Sequence, residues 1–215
     1  MNVLVVGAHG QIGQFVVKKL AEHPNFSVKA MVRKEEQKEE LSKLGAEPVL
    51  ASLHGSVEHI ADAAEGCDAI VFTAGSGGQT GFDQTLLIDL DGAVKTIEAA
   101  EKAGIKRFIM VSALQAHNRE NWNEQIKPYY VAKYYADKHL EASGLNYTII
   151  RPGGLTNEGA TGKITAADNI HGGMIPREDV ASVIVAALEN DKLIKRSFDL
   201  ISGVDTIEAA LNNIG

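Results

Sequence analysis

The first apolar run of the chain, Val3-Leu4-Val5-Val6, leads directly into Gly7-Ala8-His9-Gly10-Gln11-Ile12-Gly13. Four apolar residues in succession read as a strand buried on both faces. From Gln11 to Leu20, the apolar residues Ile12, Phe15, Val16, Val17 and Leu20 fall near helical spacing. The glycines therefore sit between a buried strand and a helix, the junction at which a doubly wound α/β sheet holds a dinucleotide. Gly7 permits the tight turn, Gly10 a close approach of backbone to phosphate, and Gly13 close packing of helix on strand. The first helical turn then offers unpaired N–H groups and a partial positive charge to an anion. The spacing is Gly-x-x-Gly-x-x-Gly, and a glycine-rich turn without a ligand is the alternative that the motif alone leaves open.

The rest of the chain alternates. Strands are expected at Phe26 to Val32, Ala46 to Leu50, Asp68 to Thr73, Ile105 to Ser112, Asn146 to Arg151 and Ser197 to Ile201. Helices are expected at Lys34 to Leu44, Ser56 to Ala64, Phe82 to Ala103, Pro128 to Ser143, Arg177 to Glu189 and about Asp205 to Asn212. Ser56 is a natural N-cap, and Gly104 and Gly144 follow helix ends. Such alternation predicts an α/β fold: a Rossmann-like doubly wound parallel sheet of order 3-2-1-4-5-6-7, with helices on both faces. Ligands would then bind at the C-terminal ends of strands one and four. Two stretches break the alternation, about 114–127 and 153–175, and both follow strands. They are the expected insertions of a small, loop-built substrate region. Asn157, Asn169 and His171 are candidates there by location alone.

The 215 residues suit one domain, 1–215. A net charge of −7 argues against nucleic acid or an anionic membrane as a partner. No apolar stretch reaches the length of a membrane span, and no basic leader precedes the first strand. With a single cysteine, Cys67, no internal disulfide forms, and a cytoplasmic location is expected. The seven histidines are scattered, and no metal site is expected.

The second strand ends Met31-Val32-Arg33-Lys34, without the acid that would hydrogen-bond a free ribose 2′-hydroxyl. A guanidinium pairs bidentately with a 2′-phosphate and Lys34 adds charge, so NADP(H) is favoured over NAD(H). The alternative is that Arg33 only solvates a strand end. Ser112 closes the fifth strand, and Tyr129 and Lys133 stand four apart on one helix face. A phenol is a weak acid–base catalyst at neutral pH, and a nearby ammonium is expected to lower its pKa. Tyr134 and Lys138 repeat the spacing, but Tyr134 lies five positions on and faces elsewhere. The first pair, nearer the ligand edge, is the expected catalytic one. Tyr130, Tyr134 and Tyr135 are expected to pack on neighbours.

Taken in order, Gly7-x-x-Gly10-x-x-Gly13, Arg33, Thr73-Ala74-Gly75, Val111-Ser112, Tyr129-x-x-x-Lys133 and Ile150-Arg151-Pro152-Gly153 resemble the short-chain dehydrogenase/reductase superfamily. The chain is similar to its atypical, epimerase/dehydratase-like branch of small NAD(P)H-binding proteins. The stretch from Ser143 to Gly153 and Arg177-Glu178-Asp179-Val180-Ala181 carry the likeness to that branch. The resemblance implies that a loop of Gly7, His9, Gly10, Gln11 and Ile12, closed by Gly13, holds the diphosphate. It implies a 2′-phosphate contact at Arg33, an adenine-ribose side lined by Thr73, Ala74 and Gly75, and a nicotinamide bordered by Pro152 and Gly153. Ser112, Tyr129 and Lys133 would be the catalytic triad. Two positions depart from the pattern. Ser52-Leu53 stands where members often have Asp-Leu against adenine, and Asp89 stands where members with a tetrad carry Asn.

The expected activity is hydride transfer to or from a small carbonyl-like substrate. An NADPH-sensing regulator with little catalysis is the alternative, and a sugar-nucleotide epimerase or dehydratase, which needs a larger C-terminal portion, ranks third. A small-molecule substrate is the expected partner, and the chain a monomer or homodimer.

Overall fold

A computed structural model of the chain describes residues 1–214. Its first half runs β1 (Asn2–Val6), α1 (Gln11–Glu22), β2 (Ser27–Val32), α2 (Lys38–Lys43), β3 (Glu47–Leu50), α3 (Val57–Ala63), β4 (Ala69–Phe72), α4 (Phe82–Gln84), α5 (Ala93–Lys102) and β5 (Arg107–Val111). The second half runs α6 (Lys127–Ala142), β6 (Asn146–Pro152), β7 (Gly154–Thr156), β8 (Lys163–Ala167), β9 (Met174–Pro176), α7 (Arg177–Leu188), β10 (Arg196–Ser202), β11 (Asp205–Thr206) and α8 (Ile207–Asn212).

The sheet is ordered β3-β2-β1-β4-β5-β6-β10-β8-β11. Strand β1 pairs in parallel with both β2 and β4, so the winding reverses there and opens a crevice at the strands' C-terminal ends. The expected order holds through its seventh strand, which is β10, parallel to β6. Beyond it the sheet is mixed rather than parallel: β8 runs antiparallel to β10, and β11 antiparallel to β8. Residues 153–175 are thus only partly loop. Lys163–Ala167 supplies hydrogen-bond partners to the free edge of β10, which exposed backbone groups would otherwise leave open. Strands β7 and β9 form a separate parallel pair.

Two helical expectations also change. Between α4 and α5, residues Thr85–Gly92 form a π-helix, so the span from Phe82 to Ala103 is not one uniform α-helix. The stretch after β2 opens as a 3₁₀ turn, Glu35–Gln37, before α2. Other local signals act as read. The Ser56 hydroxyl accepts from the His59 amide at 3.3 Å, and Gly104 ends its helix at φ +72°.

The alternation of β1 divides the core. Val3 and Val5 join α1, α2, α7 and α8 on one face, through Val16, Leu41, Ile184 and Leu211. Leu4 and Val6 join α3, α5 and α6 on the other, through Ile60, Ile97 and Leu140. These four apolar residues of β1 are fully buried, each worth about 1.5–3 kcal/mol of apolar transfer. No helix among the described residues is long and apolar enough to cross a membrane.

Candidate functional site

The glycine loop fits the task its spacing suggests. Gly7 adopts φ +84°, and a Cβ there would lie 2.6 Å from the Ala74 nitrogen at the tip of β4. The Gly10 amide donates to the Gly7 carbonyl at 2.9 Å, closing the turn. A Cβ on Gly13 would collide with that carbonyl oxygen and come within 2.8 Å of the Ala8 Cα. Helix α1 therefore begins as close to β1 as backbone allows. Its N-cap, Gly10, provides no side-chain hydrogen bond, and its first turn holds no acid. Amides at a helix start without an internal partner are an anion site, so the residues present fit a diphosphate. His9, in contrast, leans outward: its Nε2 lies 3.0 Å from Glu40, which also accepts from Gln14. Gln11 borders a cleft of about 350 Å³ on the outer flank of α1, shared with Lys18 and Arg177. Asn157 belongs to that flank, accepting from Arg177 at 2.8 Å.

Arg33 stands exposed just beyond β2, and its guanidinium forms no ion pair among the described residues. The backbone amides of Arg33 and Lys34 both donate to the Gln37 side chain, which fixes the turn. Lys34 is itself engaged, 3.4 Å from Glu36. Ser52 accepts from the His54 amide at 3.2 Å and so shapes its own loop. Leu53 is buried against Gly92 of the π-helix. Thr73 donates to the Val6 carbonyl at 3.0 Å, tying the ends of β4 and β1 together beneath the glycine loop. Ala74 abuts Gly7, and Gly75 approaches Asp89. The loop, Arg33 and the tips of β1 and β4 thus share one edge of the sheet.

Farther along the same edge lie the candidate catalytic groups. Lys133 is 3% exposed. It donates to the carbonyl of Val111, the residue before Ser112, at 3.3 Å, and its Nζ is 5.7 Å from the centre of the Tyr129 ring. Its Nζ also lies 3.2 Å from Oδ1 of Asp89, a residue 1% exposed. Burial works against the charged lysine; Tyr129 and Asp89 outweigh it and hold the ammonium above the usual lysine range. Tyr129 departs from expectation. Burial pushes its phenol up, Lys133 pulls it back only in part, and Asp89 adds to the rise. The expected lowering fails because burial of the phenol outweighs the pull of Lys133, and the Asp89 carboxylate adds to the rise. Lys138, the partner in the repeated motif, is exposed and bound to Glu141 at 2.7 Å. Tyr130 stacks on Trp122 and Tyr134 packs edge-on to it, as packing residues do.

Ser112 is buried, and its hydroxyl finds no hydrogen-bond partner. It lies near Asp137, whose carboxyl it favours without closing a bond. Asp137 was not singled out from sequence. It stands four positions after Lys133, as Lys133 does after Tyr129, so α6 turns one polar stripe inward. It pairs with Arg151 of β6 at 3.1 Å, both groups being nearly inaccessible. Burial raises the Asp137 carboxyl, and Arg151 opposes that.

Another buried acid, Asp199 on β10, gathers both irregular segments. It accepts from the Gln115 side chain at 2.9 Å and the Ile170 amide at 2.9 Å, and His117 Nδ1 lies 3.8 Å away. Gln115 takes φ +61°, rare for a residue with a side chain, and also donates to Asn169. Nothing in the spacing of Gln115, His117 and Asp199 signals this meeting, because it joins segments more than 80 residues apart. Pro152 ends β6 and accepts from the Leu114 amide at 2.9 Å. Gly153 packs directly under Gly173, where a Cβ would strike that residue's carbonyl.

Comparison with known proteins agrees with this geometry. A family model described as NAD(P)H-binding matches residues 7–191. The uncharacterized sugar epimerase YhfK of Bacillus subtilis is 63% identical over 214 residues, with 100% of each chain covered. A solved structure of a candidate NAD-dependent epimerase/dehydratase from Bacillus halodurans superposes with a TM-score of 0.93 at 42% identity, covering 99% of both chains. ChuY of Escherichia coli O157:H7, described as an anaerobillin reductase, superposes with a TM-score of 0.80 at 27% identity, covering 94% of this chain and 97% of its own.

Proposed function

The chain belongs to the NAD(P)H-binding family, with an atypical short-chain dehydrogenase/reductase architecture, and from that premise we propose that it is an NADP(H)-dependent oxidoreductase acting on a small carbonyl-like substrate. The observation that carries the reading is the junction of β1 and α1: an uncapped helix start, pressed onto the strand by two glycines that admit no Cβ. Gly7, Gly10 and the amides of Gln11, Ile12 and Gly13 hold the diphosphate. Arg33, without an acidic partner among the described residues, pairs with the 2′-phosphate, and Thr73, Ala74 and Gly75 line the adenine-ribose side. When bound, the nicotinamide supplies or accepts the hydride. Tyr129 exchanges the proton with the substrate oxygen, Ser112 orients that oxygen, and Lys133 holds the ribose and the phenol in place. The reductase described for ChuY supports the redox half of this reading.

Calorimetry against NADPH and NADH tests it. NADPH should bind the more tightly, and Arg33→Ala should weaken NADPH about 10- to 100-fold while leaving NADH nearly unchanged. Saturating NADPH that produces neither heat nor a shift in Tm overturns the reading. Turnover over carbonyl and quinone panels, with Tyr129→Phe as control, tests the chemistry.

A second reading, epimerisation of a sugar, takes its support from the description of the 63% identical relative. Product analysis separates the two: an epimerase returns the hydride and leaves the nucleotide's redox state unchanged, whereas an oxidoreductase consumes it.

A further inference from the structure

The departure at position 89 has a structural counterpart. Asp89 lies within the π-helix Thr85–Gly92, whose wider turn is a local irregularity found frequently at functional sites. One carboxylate oxygen accepts the Ser76 amide at 3.0 Å, which anchors the strand-tip loop after Gly75. The other faces the Lys133 ammonium at 3.2 Å, with no aligned hydrogen bond and no other partner. Both side chains are removed from water, so their attraction is little screened. The groups facing this pair are few. From α6 come Tyr129 and Asp137, and from β5 the Val111 carbonyl; Arg151 of β6 lies behind Asp137 and is matched to it. Lys133 is thus the cation beside the phenol, and a carboxylate already neutralises it.

We propose that Asp89 is a positioning residue that withholds the charge of Lys133 from Tyr129, so that Tyr129 stays a proton donor and the site is set for reduction. This deepens the function proposed above. The substrate carbonyl gains a hydride at carbon from the reduced nicotinamide nucleotide and a proton at oxygen from Tyr129, and the phenolate left behind is reprotonated from solvent. An asparagine at 89 keeps the acceptor for Ser76 but removes the negative charge. Lys133 then acts on Tyr129 uncompensated, and the phenolate form becomes accessible.

The test needs neither substrate nor nucleotide. Tyrosinate absorbance in the near ultraviolet is titrated for the full chain and for Tyr129→Phe, and the difference isolates Tyr129 among the 5 tyrosines. The same difference is taken in the Asp89→Asn background. Wild-type Tyr129 should ionise above the ordinary phenol value, and Asp89→Asn should lower its midpoint by about one pH unit or more. Asp89→Ser removes the same charge with a smaller side chain and serves if the asparagine variant does not fold. A wild-type midpoint below the ordinary value, or a midpoint that neither variant moves, overturns the proposal. A merely structural role for Asp89 predicts loss of stability without a change in that midpoint. Failure of NADPH to bind alongside the expected titration shift rejects the oxidoreductase and keeps the effect of Asp89 on Tyr129. Normal binding with an unmoved midpoint does the reverse.

Discussion

Gly13 and Gly10 stand three residues apart in one motif but face different constraints. A Cβ at 13 meets backbone on two sides, the Gly7 carbonyl and the Ala8 Cα, neither of which can swing away. At 10 the only near atom is the Gly7 oxygen, at 3.1 Å. Gly13→Ala should therefore cost about 1–3 kcal/mol in urea unfolding and lose NADPH binding, because α1 must retreat from β1. Gly10→Ala should keep near-wild-type stability and lose affinity alone, if the diphosphate sits at the helix start as proposed above. Equal stability for the two variants would contradict this division. Residues of this kind were legible in the sequence because glycine marks its own necessity. Asp137 was half legible, on the four-residue stripe of α6. Its partner Arg151 was visible only as part of a resemblance, because the residue type does not say that the guanidinium turns inward to an acid 14 positions away.

At the scale of elements, buried cations can serve as caps, and Arg107 does so at the end of the sheet remote from the site. It opens β5 and is buried. Its guanidinium donates to the Ala187 carbonyl in the last turn of α7, to the Asn146 carbonyl and to the Thr148 hydroxyl, at 2.6, 2.8 and 2.9 Å. Burial lowers its pKa to about 10, still well above neutrality. Arg107→Met should destabilise the fold by about 2–4 kcal/mol, because three acceptors lose a charged donor where water does not reach. The Tm falls while NADPH affinity holds, a split that a residue at the ligand edge would not give. Element existence was read well where apolar periodicity was strong, as in β1, β4, β5 and α1. It failed where pairing is non-local. Strand β8 is short and only Ile164 in it is fully buried, so its strand character comes from the open edge of β10. The π-helix carries no sequence mark either, since one wider turn changes which residues face inward without changing their type.

Across the whole molecule, Gln115 and Asp199, with His117 3.8 Å from the acid, join what the chain order separates: the segment after β5, strand β10 and the loop before β9. This closure makes stability depend on pH. Burial and the charge of Arg151 hold His117 below its ordinary value of 6.5, while Asp199 draws it back only in part. As pH falls below 6.5, the unfolded chain takes up this proton before the folded one, so the stability present above that value is lost. Asp199 carries the opposite sign. Its carboxyl is raised by burial, so it protonates more readily when folded, and its share is present at low pH and lost as pH rises through the raised value. Comparing wild type with a His117 variant over one pH interval isolates the histidine's share. Unfolding free energies measured at about pH 7.5 and about pH 5.5 should fall less in His117→Gln than in wild type, by about 0.5–1 kcal/mol. A variant that loses as much stability as wild type over that interval would show that His117 exchanges its proton as freely in the fold as out of it.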